Sequence, residues 1–200
     1  MALPNNYLTQ GAINANFSFT DFVQGASYLK LYTCTALNNS SEVIFMTQDT
    51  TLTPESTSTS GGGEGQDTTV NFDYEITNTI VFQKGKAYCY LGFIQDEGGA
   101  TFTSTIYVSL YHYDGSTETQ IGDTTSAAYV SNGASIAKDM TVQFDVDSQV
   151  VFGTGDFIRL KVRVVNTDPA GIGGNILLRT DPTSSSSTWV SVPIKFEVST

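Results

Sequence analysis

The stretch Phe157-Ile-Arg-Leu-Lys-Val-Arg-Val-Val165 decides the fold class. Its apolar side chains Ile158, Leu160, Val162 and Val164 alternate with Arg159, Lys161 and Arg163. Successive side chains of a strand point to opposite faces, so this segment buries one row and turns a cationic row outward. The same period of two recurs elsewhere. In TVNFDYEI, Val70, Phe72, Tyr74 and Ile76 alternate with Asn71, Asp73 and Glu75. MTVQFDV sets Met140, Val142, Phe144 and Val146 inside, and VSVPIKFEV does so with Val190, Val192, Ile194, Phe196 and Val198.

Further strand-like runs are YLKLYTCTAL, EVIFMTQ, TIVFQ, KAYCYLGFI, TIYVSLYHY and TQIGDTT. Turn signals such as QKGK, YDGST, SNGA and GTGD separate them. Many short strands punctuated in this way predict an all-β chain: an antiparallel β-sandwich of jelly-roll type, with about ten strands in two sheets. No amphipathic helix of three turns is expected, only a short helix or turn near residues 19–25.

The segment TPESTSTSGGGEGQDTT, residues 53–69, has the composition of a linker. Only two clear strands precede it, 28–37 and 42–48. Two strands do not make an independent unit, so they must complete sheets whose other strands follow. The expected organisation is an extended N-terminal arm over 1–25 and one domain over 26–200, with a long loop at 49–67. The arm is polar, with scattered aromatics at Tyr7, Phe17, Phe19 and Phe22, and needs a surface to lie on. These four are the candidate partner-binding residues of the arm.

Charged residues are 14% of the chain and the net charge is -11. Such a chain is repelled by nucleic-acid phosphates and anionic membranes, so neither is an expected partner. The first residues show neither the basic nor the apolar region of a secretory signal, and no apolar run reaches the length of a membrane span. Cys34 and Cys89 sit in strand-like runs and read as buried free thiols, with a cross-strand disulfide as the alternative.

Catalytic motifs are sparse. There is one histidine, His112, at a strand end before an Asp-Gly turn. It reads as structural, since neither a zinc site nor a serine triad can be assembled around it. GGGEGQ lacks the lysine of a phosphate-binding loop. Asp145 and Asp147 fall on an outward strand face. A hairpin of 138–147 with 156–166 would set them against Arg163 and Lys161 as cross-strand pairs. The alternative is a basic docking stripe, Arg159, Lys161 and Arg163, that meets an acidic neighbour. Tyr107, Tyr111 and Tyr113 share one side of a strand, as a glycan platform or as an inner sheet face. An irregular calcium site between loops stays open. No catalytic residue, metal site or cofactor is assigned, and the chain is expected not to be an enzyme. Pro193 removes a ladder donor from the last strand, which predicts an edge position.

Residues 114–119 (DGSTET), 155–162 (GDFIRLKV), 181–182 (DP) and 192–195 (VPIK) together resemble the jelly-roll virion structural proteins of tailed phages and environmental viruses. Where that pattern often has a histidine before the Asp-Pro, this chain has Arg179-Thr180. The resemblance implies a structural particle protein, foremost a capsid decoration (cement) protein that stabilises the shell. Its partners would be the major capsid protein or other virion subunits. A homo-oligomer, as a trimer, and a place on the outer surface of the virion after synthesis in the host cytoplasm complete the expectation. The alternatives are a carbohydrate-binding module of a tail or fibre, and a self-assembling filament or surface-layer subunit.

Overall fold

The computed structural model describes residues 26–38, 41–54, 56, 58–62, 67–97, 103–130, 136–166 and 174–195. The expected arm, with Tyr7, Phe17, Phe19 and Phe22, and the short helix near 19–25 lie outside them. The strands are β1 (Ala26–Asn38), β2 (Ser41–Thr47), β3 (Ser58–Gly62), β4 (Asp67–Glu75), β5 (Ile80–Phe82), β6 (Gly85–Glu97) and β7 (Thr103–Tyr113). They continue as β8 (Glu118–Val130), β9 (Ile136–Val146), β10 (Val150–Phe152), β11 (Phe157–Asn166), β12 (Gly174–Arg179) and β13 (Trp189–Lys195). The chain is all-β, with no helix among the described residues.

Hydrogen bonding joins all 13 strands into one network. Its main path runs β3-β12-β6-β13-β1-β2-β4-β11-β7-β8, with β5, β9 and β10 attached beside it. The ladders are antiparallel except for one parallel bridge, Phe45 of β2 with Asp73 of β4. The strands thus form a single mixed sheet by hydrogen bonding, in place of the two expected from sequence. The sheet curls back on itself. Phe93 of β6 meets Tyr129 of β8 edge-on, with ring centroids 5.0 Å apart, although these strands lie near opposite ends of the path. His112 of β7 likewise lies 4.4 Å from Phe152 of β10.

The core fills the space between these facing surfaces. Phe72, Phe82, Phe93, Phe144 and Phe152 are fully buried in it. Burying each such side chain contributes about 1.5–3 kcal/mol. The alternating rows supply most of the rest. Met140, Val142, Phe144 and Val146 are buried, as are Ile158, Leu160, Val162 and Val164.

Several expectations are corrected. Within the segment read as a loop, Ser58–Gly62 is a strand that pairs with β12, Ser58 opposite Arg179 and Thr59 opposite Leu178. It has no apolar row to betray it. Its entry is fixed by Thr35, whose Oγ1 donates to the Ser56 carbonyl at 2.5 Å and accepts from the Ser56 amide at 3.1 Å. The hairpin of 138–147 with 156–166 does not form. β9 pairs with β6, which sets Asp145 opposite Lys86 in an ion pair, while β11 lies between β4 and β7.

Pro193 is not on an edge either. β13 runs between β1 on one side and β6 with β5 on the other. The N and C=O of one residue point to the same side of a strand. The Pro193 carbonyl accepts from the Gln83 amide at 3.0 Å, so its ring nitrogen faces the same side. There the pairing changes hands, from β6 at residues 189–191 to β5 at 194–195. The missing donor therefore falls at the end of the β5 ladder, where it removes one terminal bond and leaves the interior pairing intact. Both cysteines are free and buried, and burial pushes each thiol above its ordinary pKa.

Candidate docking face

The outward row of β11 is the most organised polar surface among the described residues. β11 lies between β4 and β7, so its side chains have neighbours on both flanks. Arg159 Nε and Nη2 donate to Asp73 Oδ1 and Oδ2, both at 2.6 Å, and Nη1 donates to Glu118 Oε1 at 2.5 Å. Lys161 pairs with the other oxygen of Glu118. Arg163 Nε and Nη2 donate to Asp67 Oδ1 and Oδ2 at 2.7 and 2.5 Å. Two of the three cations therefore make bidentate forks, the stronger form of the pair.

Each cation also stands over a tyrosine of β7. The Arg159 guanidinium lies 3.9 Å from the Tyr113 ring centre, Lys161 Nζ 4.4 Å from that of Tyr111, and the Arg163 guanidinium 5.3 Å from that of Tyr107. In register, Arg159 is opposite Tyr111 and Lys161 opposite Ser109. These two side chains thus lean one step along β7 to reach their rings. Such contacts add about 0.5–1 kcal/mol each at exposed sites. The basic stripe and the tyrosine row, read separately from sequence, form one surface.

The electrostatics follow. Hydrogen bonds from Lys161 and then Arg159 hold the Glu118 carboxyl below its ordinary value. The Arg163 fork does the same to Asp67. The bond to Asp73, foremost, raises the Arg159 guanidinium. Three cations meet three carboxylates, Asp67, Asp73 and Glu118, so the row is internally neutral. Each cation of the stripe already has a carboxylate partner within the chain. Each tyrosine of the row carries a cation over one face of its ring. What the surface offers is rigid: ring edges, phenol hydroxyls and guanidinium planes locked in place.

The three carboxylates were not foreseen as partners. Asp73 is visible as an outward position of TVNFDYEI, and Glu118 belongs to the DGSTET turn. Only the strand order brings them to β11. His112 lies apart from this face. Its Nε2 is 2.8 Å from Asp156 Oδ2, which also accepts from the Gly153 amide at 2.7 Å. No group of three or more metal-ligating side chains occurs among the described residues.

The geometry defines a class no finer than an all-β chain with a preorganised polar face. No family model matches the chain, and no curated protein matches it in sequence. Among solved structures, it is similar to a CocE/NonD family hydrolase from Staphylococcus aureus at TM-score 0.47 and 12% identity, over 86% of this chain and 37% of that one. It is similar to an aminopeptidase from a marine sediment Thaumarchaeota archaeon at TM-score 0.40 and 9% identity, over 64% and 26%. Infectious bursal disease virus, Gx strain, follows at TM-score 0.29 and 10% identity, over 80% and 43%. The chain thus spans 26% to 37% of the length of these hydrolases. With hydrolases among the similar structures, the expectation that the chain is not an enzyme is corrected and withdrawn. Likenesses this distant transfer no activity to the chain.

Proposed function

We propose that the chain is a virion structural protein, a capsid decoration subunit that docks on the particle through the outward face of β4, β11 and β7. One observation carries the reading: Arg159 held bidentate by Asp73 and stacked on Tyr113 at 3.9 Å, in a row with Lys161 on Tyr111 and Arg163 on Tyr107. Tyrosine and arginine are the residues that protein interfaces favour. Rings and guanidinium planes already fixed lose little side-chain entropy on docking. The sequence resemblance to jelly-roll particle proteins supports the same reading, as does the curled sheet with one enclosed core.

In this reading the two facing halves of the sheet are the layers of a jelly roll. Residues 1–25, with Tyr7, Phe17, Phe19 and Phe22, are the clamping arm of a domain over 26–200. The protein sits on the outer surface of a phage particle against the major capsid protein, as a trimer. Binding across a junction between shell subunits stabilises the shell, because separating them then costs both contacts.

Cosedimentation with undecorated shells tests it. The double variant Tyr107→Ala/Tyr111→Ala should bind at least tenfold more weakly while keeping the wild-type circular dichroism spectrum. Unchanged binding by this folded variant would overturn the docking face.

A further inference from the structure

We propose a saccharide-binding site on a different surface, where β6, β12 and the segment entering β13 meet. A cavity of about 200 Å³ opens there, lined by Ile94, Arg179, Asp181 and Ser184. The wall is built by the segment 181–188, which crosses the outside of β6 at Gly92. A Cβ on Gly92 would run into the Ser186 carbonyl and lie 3.5 Å from Arg179 Cδ. Thr188 clamps the crossing. Its Oγ1 accepts from the Gly92 amide and donates to the Gly92 carbonyl, each at 3.2 Å, and its amide donates to the Arg179 carbonyl at 3.2 Å.

The polar groups of the cavity are held but not exhausted. Arg179 donates to Ser186 Oγ and forms no ion pair among the described residues. Asp181 Oδ1 accepts from the Thr183 amide at 2.9 Å and its hydroxyl at 2.6 Å, which leaves Oδ2 for a ligand. A guanidinium offers planar N–H donors and a carboxylate offers only acceptors. Lining one cavity, they suit the hydroxyls of a sugar, each of which donates and accepts. A small inorganic anion would suit Arg179 but be repelled by Asp181, so the pair favours a neutral polyhydroxylated ring.

The apolar half of the site is adjacent. Ile94 lines the cavity itself. Tyr90, two residues before Gly92 on the same face of β6, stands opposite Trp189 in register. Their rings are nearly parallel, 12° apart in plane, with centroids 6.0 Å apart. The combination of aromatic surface with a few placed polar groups is what a small-ligand site needs. Lys30 Nζ stands 4.0 Å from the Trp189 ring centre, so a cation flanks this pair as cations flank the tyrosine row of β7.

The chain has one tryptophan, Trp189, next in sequence to Thr188 of the clamp, so its emission serves as the readout. The probes are methyl α-glucoside, methyl α-galactoside, N-acetylglucosamine, and linear oligomers of glucose and N-acetylglucosamine. At least one should give a saturable change in Trp189 emission. Arg179→Met and Asp181→Asn should each weaken it at least tenfold, whereas Tyr107→Ala should leave it unchanged. Asp181 is partly exposed, so its variant keeps the test open should Arg179→Met fail to fold. Two results overturn the site: no saturable response up to about 10 mM of any probe, the weak end of specific affinity, or an equal response to sodium sulfate alone. Neither bears on the shell-docking reading, which rests on β11 and β7.

Discussion

His112 and Asp156 show how one side-chain pair can fix a turn. Asp156 Oδ2 takes bonds from His112 Nε2 and the Gly153 amide, while its main-chain carbonyl accepts from Ile76 at 2.8 Å. The turn between β10 and β11 is thereby tied to the end of β4. The hydrogen bond from His112, then that from Gly153, holds the Asp156 carboxyl below its ordinary value of 3.8. A carboxylate whose folded pKa is depressed contributes stability that is full above the unfolded value and lost as pH falls through the folded one. Asp156→Ala should therefore cost about 1–2 kcal/mol at neutral pH, the scale of bonds to a charged group. The gap to wild type should shrink once pH drops below 3.8 toward the lower folded value. Urea denaturation of both proteins at a series of pH values measures this, and a gap constant with pH would refute the assignment. The sequence placed His112 beside a turn but not against Asp156. The two are 44 positions apart, and nothing in either segment encodes that meeting.

Strands were legible where one face is buried and the other wet. β4, β9, β11 and β13 carry that alternation in their residues, so their existence followed from sequence. β3 did not, because Ser, Thr and Gly alternate nothing; its evidence is the backbone ladder to β12. Partners were not legible at all. Outward Asp, Lys and Arg suit any opposite charge, so Asp145 could be assigned to Arg163 when the strand order gives it Lys86. The bulge in β8 was also hidden. Val108 pairs with Thr125 and Leu110 with Ile121, so β8 carries extra residues opposite Ser109. Gly122, at φ +71°, absorbs the bend, and a Cβ there would come within 2.5 Å of the Asp145 carbonyl of β9. Gly115 has φ +89° with nothing within 4 Å. An alanine at either position pays the left-handed strain of about 1–2 kcal/mol. Gly122→Ala must in addition push β8 from β9, so it should lose clearly more stability than Gly115→Ala in chemical denaturation. Equal losses would mean that the two edges do not meet at this point.

The ladders also bear on how the molecule unfolds. The Ser/Gly-rich segment could have separated two units, but β1, before it, pairs with β13 near the other end of the described chain, from Ala26 opposite Lys195 to Tyr32 opposite Trp189. Side chains from both sides of the segment, Leu31 and Met46 with Phe93 and Val190, share one buried cluster. Exposing one part of that cluster strips contacts from the rest, which favours all-or-none unfolding. The two free thiols test it, because they lie on opposite sides of the segment. Cys34 is in β1 and Cys89 in β6, with 1% and 0% exposure. Burial raises both thiols, Cys89 the more strongly, so neither supplies a reactive thiolate while folded. Labelling by a thiol reagent should be negligible in native buffer. In increasing urea, both cysteines should become reactive along the same curve, with the midpoint of the circular dichroism transition. Mass spectrometry of the two labelled peptides resolves them. If Cys34 became reactive at clearly lower urea than Cys89, the strands before the segment would form a separate, weaker unit, and one cooperative sheet would be the wrong description.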